Sequence, residues 1–321
     1  MNIKITGLGY YLPEKVETAK ELAPKINKSE KWIISRTGVK ERRISEIDVD
    51  KMGAIAAKMA LNDGEKPDLI LNASGVGKQV IPDTSVFYQK ELGFEGIPSF
   101  TIHSTCLSFL VALNTAATFI SQKTYRRILI ISADRGTRGR NLNQPESAAL
   151  LGDAAAAIII EPTPTNEESK IIDFSMKTWP EGSSLTEVRG GGTNLHPQDK
   201  NTTIDDNLFS MNGPMIYKIA RKKVYDMINE DLLTNNLKPA DIKLLIPHQA
   251  SNLAIKAYSK YGGFNEDKVI NIIEKTGNCV AASLPLALAL TFEENRINRN
   301  DLIYFIGTGA GLSAASMLLK F

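Results

Sequence analysis

The sequence predicts an α/β protein whose sheets are covered by helices on both faces and whose second half repeats the plan of the first. Three observations carry this. Short apolar runs of strand length alternate with longer runs of helical length along the chain. A polar turn that opens a helix rich in Ala, Leu and Ser occurs twice, as STCLSFLVALNTAA and as TGNCVAASLPLALA. Each of those helices leads to an apolar strand, and each half closes with a strand of small residues, GDAAAAIIIE and AGLSAASMLLKF.

The elements follow in order. MNIKITGLGYYLPE alternates like a strand. DLILNAS (68–74), RILIISAD (127–134) and AAAIIIE (155–161) are unbroken apolar runs, the mark of strands buried on both faces. TSVFYQKELG (84–93) and CLSFLVALNTAATFISQK (106–123) are helical between them. PTPTNEESK (162–170), polar and rich in proline, divides the halves, giving units 1–165 and 166–321. In the second half, 215–236 is a long amphipathic helix and IKLLIPHQ (242–249) is a strand running into a polar turn. CVAASLPLALALTFEEN (279–295) is a helix, and DLIYFIGTG (301–309) and LSAASMLLKF (312–321) are strands.

The totals bound the function. With 321 residues, 43% hydrophobic and 23% charged, the chain is an ordinary globular protein with ample core. A net charge of +2 gives no reason to expect nucleic acid as its main partner. Two cysteines make no disulfide framework, which points to a reducing compartment. AAAAIII (154–160) and VAASLPLALALTF (280–292) are shorter than the roughly 20 residues of a membrane span. The N-terminus has no signal-peptide pattern, so the expected location is cytoplasmic.

Chemistry concentrates in the turns. Cys106, in HSTCLSFL (103–110), sits where a strand stops and a helix starts, and a helix N-terminus favours a thiolate. The bland alternative is a small buried hydrophobe. His248, in LLIPHQAS, ends a strand beside a turn. It is an acid/base or donor group, or a capping histidine. Asn278, in KTGNCVAASLP, either caps the following helix or donates its amide to a substrate carbonyl. Duplication sets Cys106 of one half facing Asn278 of the other. Together the three suit thioester chemistry. A thiolate takes an acyl group, while His and Asn bind a second thioester carbonyl as it becomes an enolate.

GTGAG (307–311) offers backbone N–H groups to an oxyanion. KWIISRTGVKERRI (31–44) places Trp32 and Arg36 four apart, with Lys40, Arg42 and Arg43 beyond. An aromatic face and guanidinium groups of this kind clasp a nucleotide, or form a solvated basic surface. His103 is expected to point back along its strand, His196 to be a loop residue, and Cys279 to be packing.

These stretches resemble β-ketoacyl-acyl-carrier-protein synthase III, in the thiolase-like superfamily. The likeness covers nearly the whole chain, through GLGYYLPE, WIISRTGV, the cysteine turn, LLGDAAAAIII, IPHQAS, TGNCVAASLP and the closing glycine-rich strand pair. It implies a duplicated, five-layered αβαβα fold and a homodimer that needs no metal or separate cofactor. Coenzyme A and phosphopantetheine thioesters are its substrates. It implies that Cys106 is acylated from an acyl-CoA, and that His248 and Asn278 assist decarboxylation of a malonyl thioester, carried on acyl carrier protein or coenzyme A. The backbone N–H groups of Cys106 and Ala310 would form the oxyanion hole. Trp32 and Arg36 would contact the adenine end of coenzyme A, and Ile81 the acyl pocket.

The chain departs from the family pattern at several points. HST precedes the cysteine where small apolar residues are usual, GTGAG replaces a run of glycines, and HQASNLAI lacks the usual basic residue. Lys218, Arg221, Lys222 and Lys223, with Lys256 and Lys260, offer another basic patch for an acidic carrier. The expected function is condensation in fatty-acid initiation or a specialised lipid or natural-product pathway. The alternatives are acyl transfer to an alcohol or amine and, remotely, a papain-like cysteine hydrolase.

Overall fold

The computed structural model describes residues 1–321 and contains two main sheets. The first runs in the spatial order Ile3–Tyr11, Asp153–Pro162, Ile128–Arg135, Leu69–Asn72, Ser99–Thr101. The second runs Lys170–Thr178, Ser313–Lys320, Leu302–Gly309, Leu244–Pro247. The pairing senses match: antiparallel, antiparallel, parallel. Leu69 pairs with Ile128 as Leu244 pairs with Ile303, and Ile131 faces Asn72 as Ile306 faces Pro247. One constant shift in numbering therefore carries 69–73 onto 244–248, 103–108 onto 278–283 and 128–134 onto 303–309. The first sheet has a fifth strand, Ser99–Thr101. Its counterpart in the second is a single parallel bridge between Leu245 and Val269.

The layers follow from which side chains point where. In Ile128–Arg135, Ile128 and Ile130 join a core with Leu110, Leu113 and Ala117, on the helix Ser108–Ser121. Leu129 and Ile131 turn the other way, onto Met52, Ala56 and Ala60 of the helix Val49–Leu61. The second sheet divides likewise. Ile303 and Phe305 face the shared middle layer with Leu284 and Leu288 of the helix Ser283–Glu293. Tyr304 and Ile306 face Met227 and Ile228, on the helix Gly213–Thr234, and Ile255 of Asn252–Gly262. The order helix, sheet, helix, sheet, helix is thus set by two-sided strands, whose alternate residues both find apolar partners. Phe109 and Phe305 meet edge to face across the middle, with ring centres 6.3 Å apart.

Both middle helices start later than the sequence predicts, for the same reason. Ser108 Oγ accepts from the Ser104 N–H at 2.9 Å and donates to Thr105 O, drawing residues 105–107 into a tight 3-10 turn before the helix. Ser283 Oγ accepts from the Cys279 N–H at 3.0 Å, with 280–282 in the matching turn. The edge strand Lys170–Thr178 (KIIDFSMKT) is not evident from the sequence, where charged and apolar residues mix. No helix is long and apolar enough to cross a membrane.

Candidate active site

The two tight turns pack against each other where the halves meet. Each contains a β-branched residue at positive φ, Thr105 at 51° and Val280 at 51°. Such a conformation costs on the order of 1–3 kcal/mol and needs support from its surroundings. The support for Thr105 comes from the closing strand pair. A Cβ added at Gly309 would lie 2.6 Å from Thr105 Oγ1, so only glycine lets the strand approach the Cys106 turn. One added at Gly307 would sit 3.1 Å from both His248 Cβ and Leu107 Cδ2. The turn bearing Cys106, the strand Leu302–Gly309 and His248 are thus in contact.

His248 extends the strand Leu244–Pro247, its N–H bonded to Ile306 O at 2.8 Å. The side chain is buried, its Nδ1 has no partner, and it lines a cavity of about 400 Å³ with Leu150, Ala250 and Thr308. Burial lowers its pKa to about 4, so the imidazole is neutral at ordinary pH.

Asn278 is held by backbone on both sides, its N–H to Leu150 O at 2.8 Å and its O to the Gly152 N–H at 3.0 Å. Its Oδ1 accepts from the Val280 N–H at 2.9 Å. That bond fixes the amide orientation, leaving the NH₂ group as a donor away from the turn. A Cβ on Gly152 would strike Thr276 O at 2.0 Å, so the strand that anchors Asn278 also depends on a glycine.

Cys106 is partly exposed as a residue, but its sulfur is enclosed. Burial first, and the Asp134 carboxylate second, push the thiol up to about 12. This corrects the expectation that the helix start favours a thiolate. The residue lies in the 3-10 turn ahead of the helix and not at the helix start itself, and enclosure disfavours the charged form.

The basic run also needs correction. Arg36 lines the cavity and Trp32, on the same helix Glu30–Thr37, is half-buried with Lys28 over its ring. Arg42 is fully buried instead, giving Nη1 to Ala149 O at 2.7 Å and reaching Ala148 O and Leu151 O. Lys40 pairs with Glu274, and Arg43 reaches Pro13 O. Arg42 is thus not free for a nucleotide, while Lys40 and Arg43 keep part of their side chains at the surface. Arg42 braces the chain beside Leu150, which holds Asn278.

Ile81 is 80% exposed in this chain and stands outside the cavity lining. Ala310 follows Gly309 at the strand turn. His103 is exposed, with Nε2 3.0 Å from Gly75 O, and Cys279 is buried beside Thr276 O. His196 lies in an exposed loop. Of the basic patch, Lys223 bonds Glu181 at 2.8 Å and covers Trp179, leaving Lys218, Arg221, Lys222, Lys256 and Lys260 exposed. Sequence reasoning missed Asp134, in the SADRG stretch. It is an ordinary strand-end aspartate in sequence but fully buried in the fold.

This architecture is that of thiolase-like condensing enzymes. Over 99% of its length the chain superposes on a 3-oxoacyl-[acyl-carrier-protein] synthase III from Aquifex aeolicus, covering all of that chain, with TM-score 0.89 and 30% identity. It also superposes on the priming β-ketosynthase of the R1128 polyketide pathway, covering 99% of this chain and 96% of that one, with TM-score 0.89 and 26% identity. The papain-like alternative is thereby excluded. Residues 100–180 match the 3-oxoacyl-[acyl-carrier-protein] synthase III family model, and 232–321 match its C-terminal model. Curated β-ketoacyl-[acyl-carrier-protein] synthases III from Pseudoalteromonas atlantica and Aquifex aeolicus are each 32% identical over the full length of both chains. The chain belongs to the β-ketoacyl-acyl-carrier-protein synthase III family and is an acyltransferase of the condensing type.

Proposed function

We propose that Cys106, His248 and Asn278 join an acyl-CoA starter to a malonyl thioester with loss of carbon dioxide. The observation that carries this reading is the meeting of two like turns, one bearing a thiol and the other an amide donor, beside a neutral buried histidine. In the first step the Cys106 sulfur bonds to the acyl carbon and the bond to the coenzyme A sulfur breaks. The thiol proton passes through His248 to the departing thiolate. A thiol held up to about 12 is protonated at rest, so this transfer waits for substrate.

In the second step the malonyl group loses carbon dioxide, and the electron pair of the broken C–C bond becomes an enolate. Its oxygen takes hydrogen bonds from the Asn278 amide and from His248 Nε2–H, the latter strengthened by the burial of the imidazole. The enolate carbon attacks the acyl carbonyl, whose oxyanion rests on the N–H groups of Cys106 and Ala310. Collapse releases the Cys106 sulfur. Transfer to an alcohol or amine needs no enolate site and leaves Asn278 without a task.

Trp32 and Arg36 stand at the nucleotide end of coenzyme A. Arg221 lines the cavity, and Lys218, Lys222, Lys256 and Lys260 are exposed on the same two helices, which supports an acidic acyl carrier protein as the donor's carrier. The chain acts in the cytoplasm as a homodimer of two-part subunits (1–165 and 166–321). Val80 and Ile81, 83% and 80% exposed, are covered in that dimer, where Ile81 meets the acyl pocket.

Intact-protein mass spectrometry with a panel of acyl-CoAs tests the first step. The expected result is one acyl mass on the protein and none on Cys106→Ala. Product assays with malonyl-CoA and malonyl carrier protein then test the second. A protein that acylates elsewhere, or acylates Cys106 and yields no β-ketoacyl product with either donor, sinks the reading.

A further inference from the structure

The shift that superposes the halves places Asp134 on Gly309 and Cys106 on Ala281. Gly309 leaves the Cys106 turn open. Asp134, at the matching place, puts a carboxylate against the second turn. Its Oδ2 accepts from the Ala282 N–H at 3.1 Å, and the Ala281 N–H adds to its stabilisation. Its Oδ1 accepts from the N–H groups of Gly75 and Val76, at 2.9 and 3.0 Å. Backbone donors that hold an oxyanion in one half hold a resident carboxylate in the other. The bonded N–H groups lie three and four residues after Asn278, whose own Oδ1 is tied to the Val280 N–H in between.

We propose that Asp134 is a positioning residue for the condensation step: it occupies the amide pocket of the unreactive turn and so fixes the direction in which Asn278 presents its NH₂ group. Toward Cys106 it acts as a nearby charge that keeps the thiol protonated, and through Gly75 O, which His103 contacts, so its loss does not impede acylation. The two half-reactions therefore depend on it unequally.

Asn at 134 presents one acceptor and one NH₂ group, which meets N–H groups on one side and breaks one set of bonds. With Asp134→Asn, acylation of Cys106 should stay within about 3-fold of wild type while malonyl decarboxylation by the acylated enzyme falls about 10- to 100-fold. Gly75→Ala tests the same contact from the loop side, since its Cβ would meet Val280 Cγ1 at 2.3 Å, and should give the same split. Equal loss of both half-reactions in folded variants, or loss of neither, overturns the proposal.

The inference rests on the proposed reaction only for this readout. Amide exchange at 281 and 282 reads it independently and should be at least about 10-fold faster in Asp134→Asn than in wild type. If wild type fails to decarboxylate malonyl thioesters, the proposed function fails and exchange decides the placement of Asp134. Unchanged exchange overturns it.

Discussion

The two halves share a frame and differ in the side chains set on it. Under the one shift, Ala73 of the first half corresponds to His248, His103 to Asn278, and Cys106 to Ala281. Backbone bonds agree: Ala73 N–H gives to Ile131 O at 2.7 Å as His248 N–H gives to Ile306 O at 2.8 Å. Each half fills the positions its twin leaves bland. In the proposed reaction the first half supplies only the nucleophile, and the second only the enolate-binding pair. On that reading a single half holds no complete site, and the reaction draws on both turns at the seam where they meet.

The largest effects should come from removing what is unique to one half. Cys106→Ala should abolish acylation, a loss of about 10³-fold or more. Moving the thiol to the other turn, as Cys106→Ala with Ala281→Cys, should not restore it, because Asp134 already occupies that amide pocket. Acylation at residue 281, detected by peptide mass mapping, would break the comparison. Asn278→Asp keeps the acceptor for Val280 but replaces the donor with a charge. It should cut condensation by about 10²–10³-fold while acylation proceeds. Single-turnover assays with preacylated enzyme check it.

Gly309→Ala probes the counterpart of Asp134. Its Cβ, 2.6 Å from Thr105 Oγ1, must displace the Cys106 turn. Acylation should fall by about 10-fold or more with the fold intact, as circular dichroism and acyl-transfer rates would report. A variant that acylates normally would show the strand free to yield there.

The smallest effects concern pH. The folded-state pKa of His248, about 4, lies below the ordinary value of 6.5. The unfolded chain therefore binds its proton first, and its share of stability is complete above pH 6.5 and lost as pH falls toward 4. That share is about 3 kcal/mol at most. Asp134 is raised to about 7 from 3.8 by burial, so its share runs the opposite way, lost as pH rises from 3.8 to 7. The two slopes offset in wild type. Asp134→Asn should expose the His248 slope as a steeper rise in stability between pH 4 and 6.5, measurable by urea unfolding. Equal slopes in the two proteins would separate these groups from the pH response.

Cys106, His248 and Asn278 stand out in the sequence because each sits in a short run whose neighbours mark a strand end or helix start. The duplication was legible because polar turns and small-residue helices repeat in order. What remained hidden depends on contacts between distant segments. Arg42 lies in a basic run that looks solvated, and only the fold shows the carbonyls of Ala148 and Ala149 around it. Thr105 and Val280 are β-branched and give no sign of positive φ. The raised thiol of Cys106 comes from enclosure by both halves, which local sequence does not encode.

Gly38 closes the helix that carries Arg36, at φ 81°. A Cβ there would lie 2.2 Å from Asn252 Cβ, on the helix that starts just beyond His248. The junction leaves no room for even a methyl group. Arg36 and His248 are thereby held like the jaws of a caliper. In the proposed reaction a thioester seated between them would meet two fixed ends, so the fold sets the span its pantetheine arm must cover.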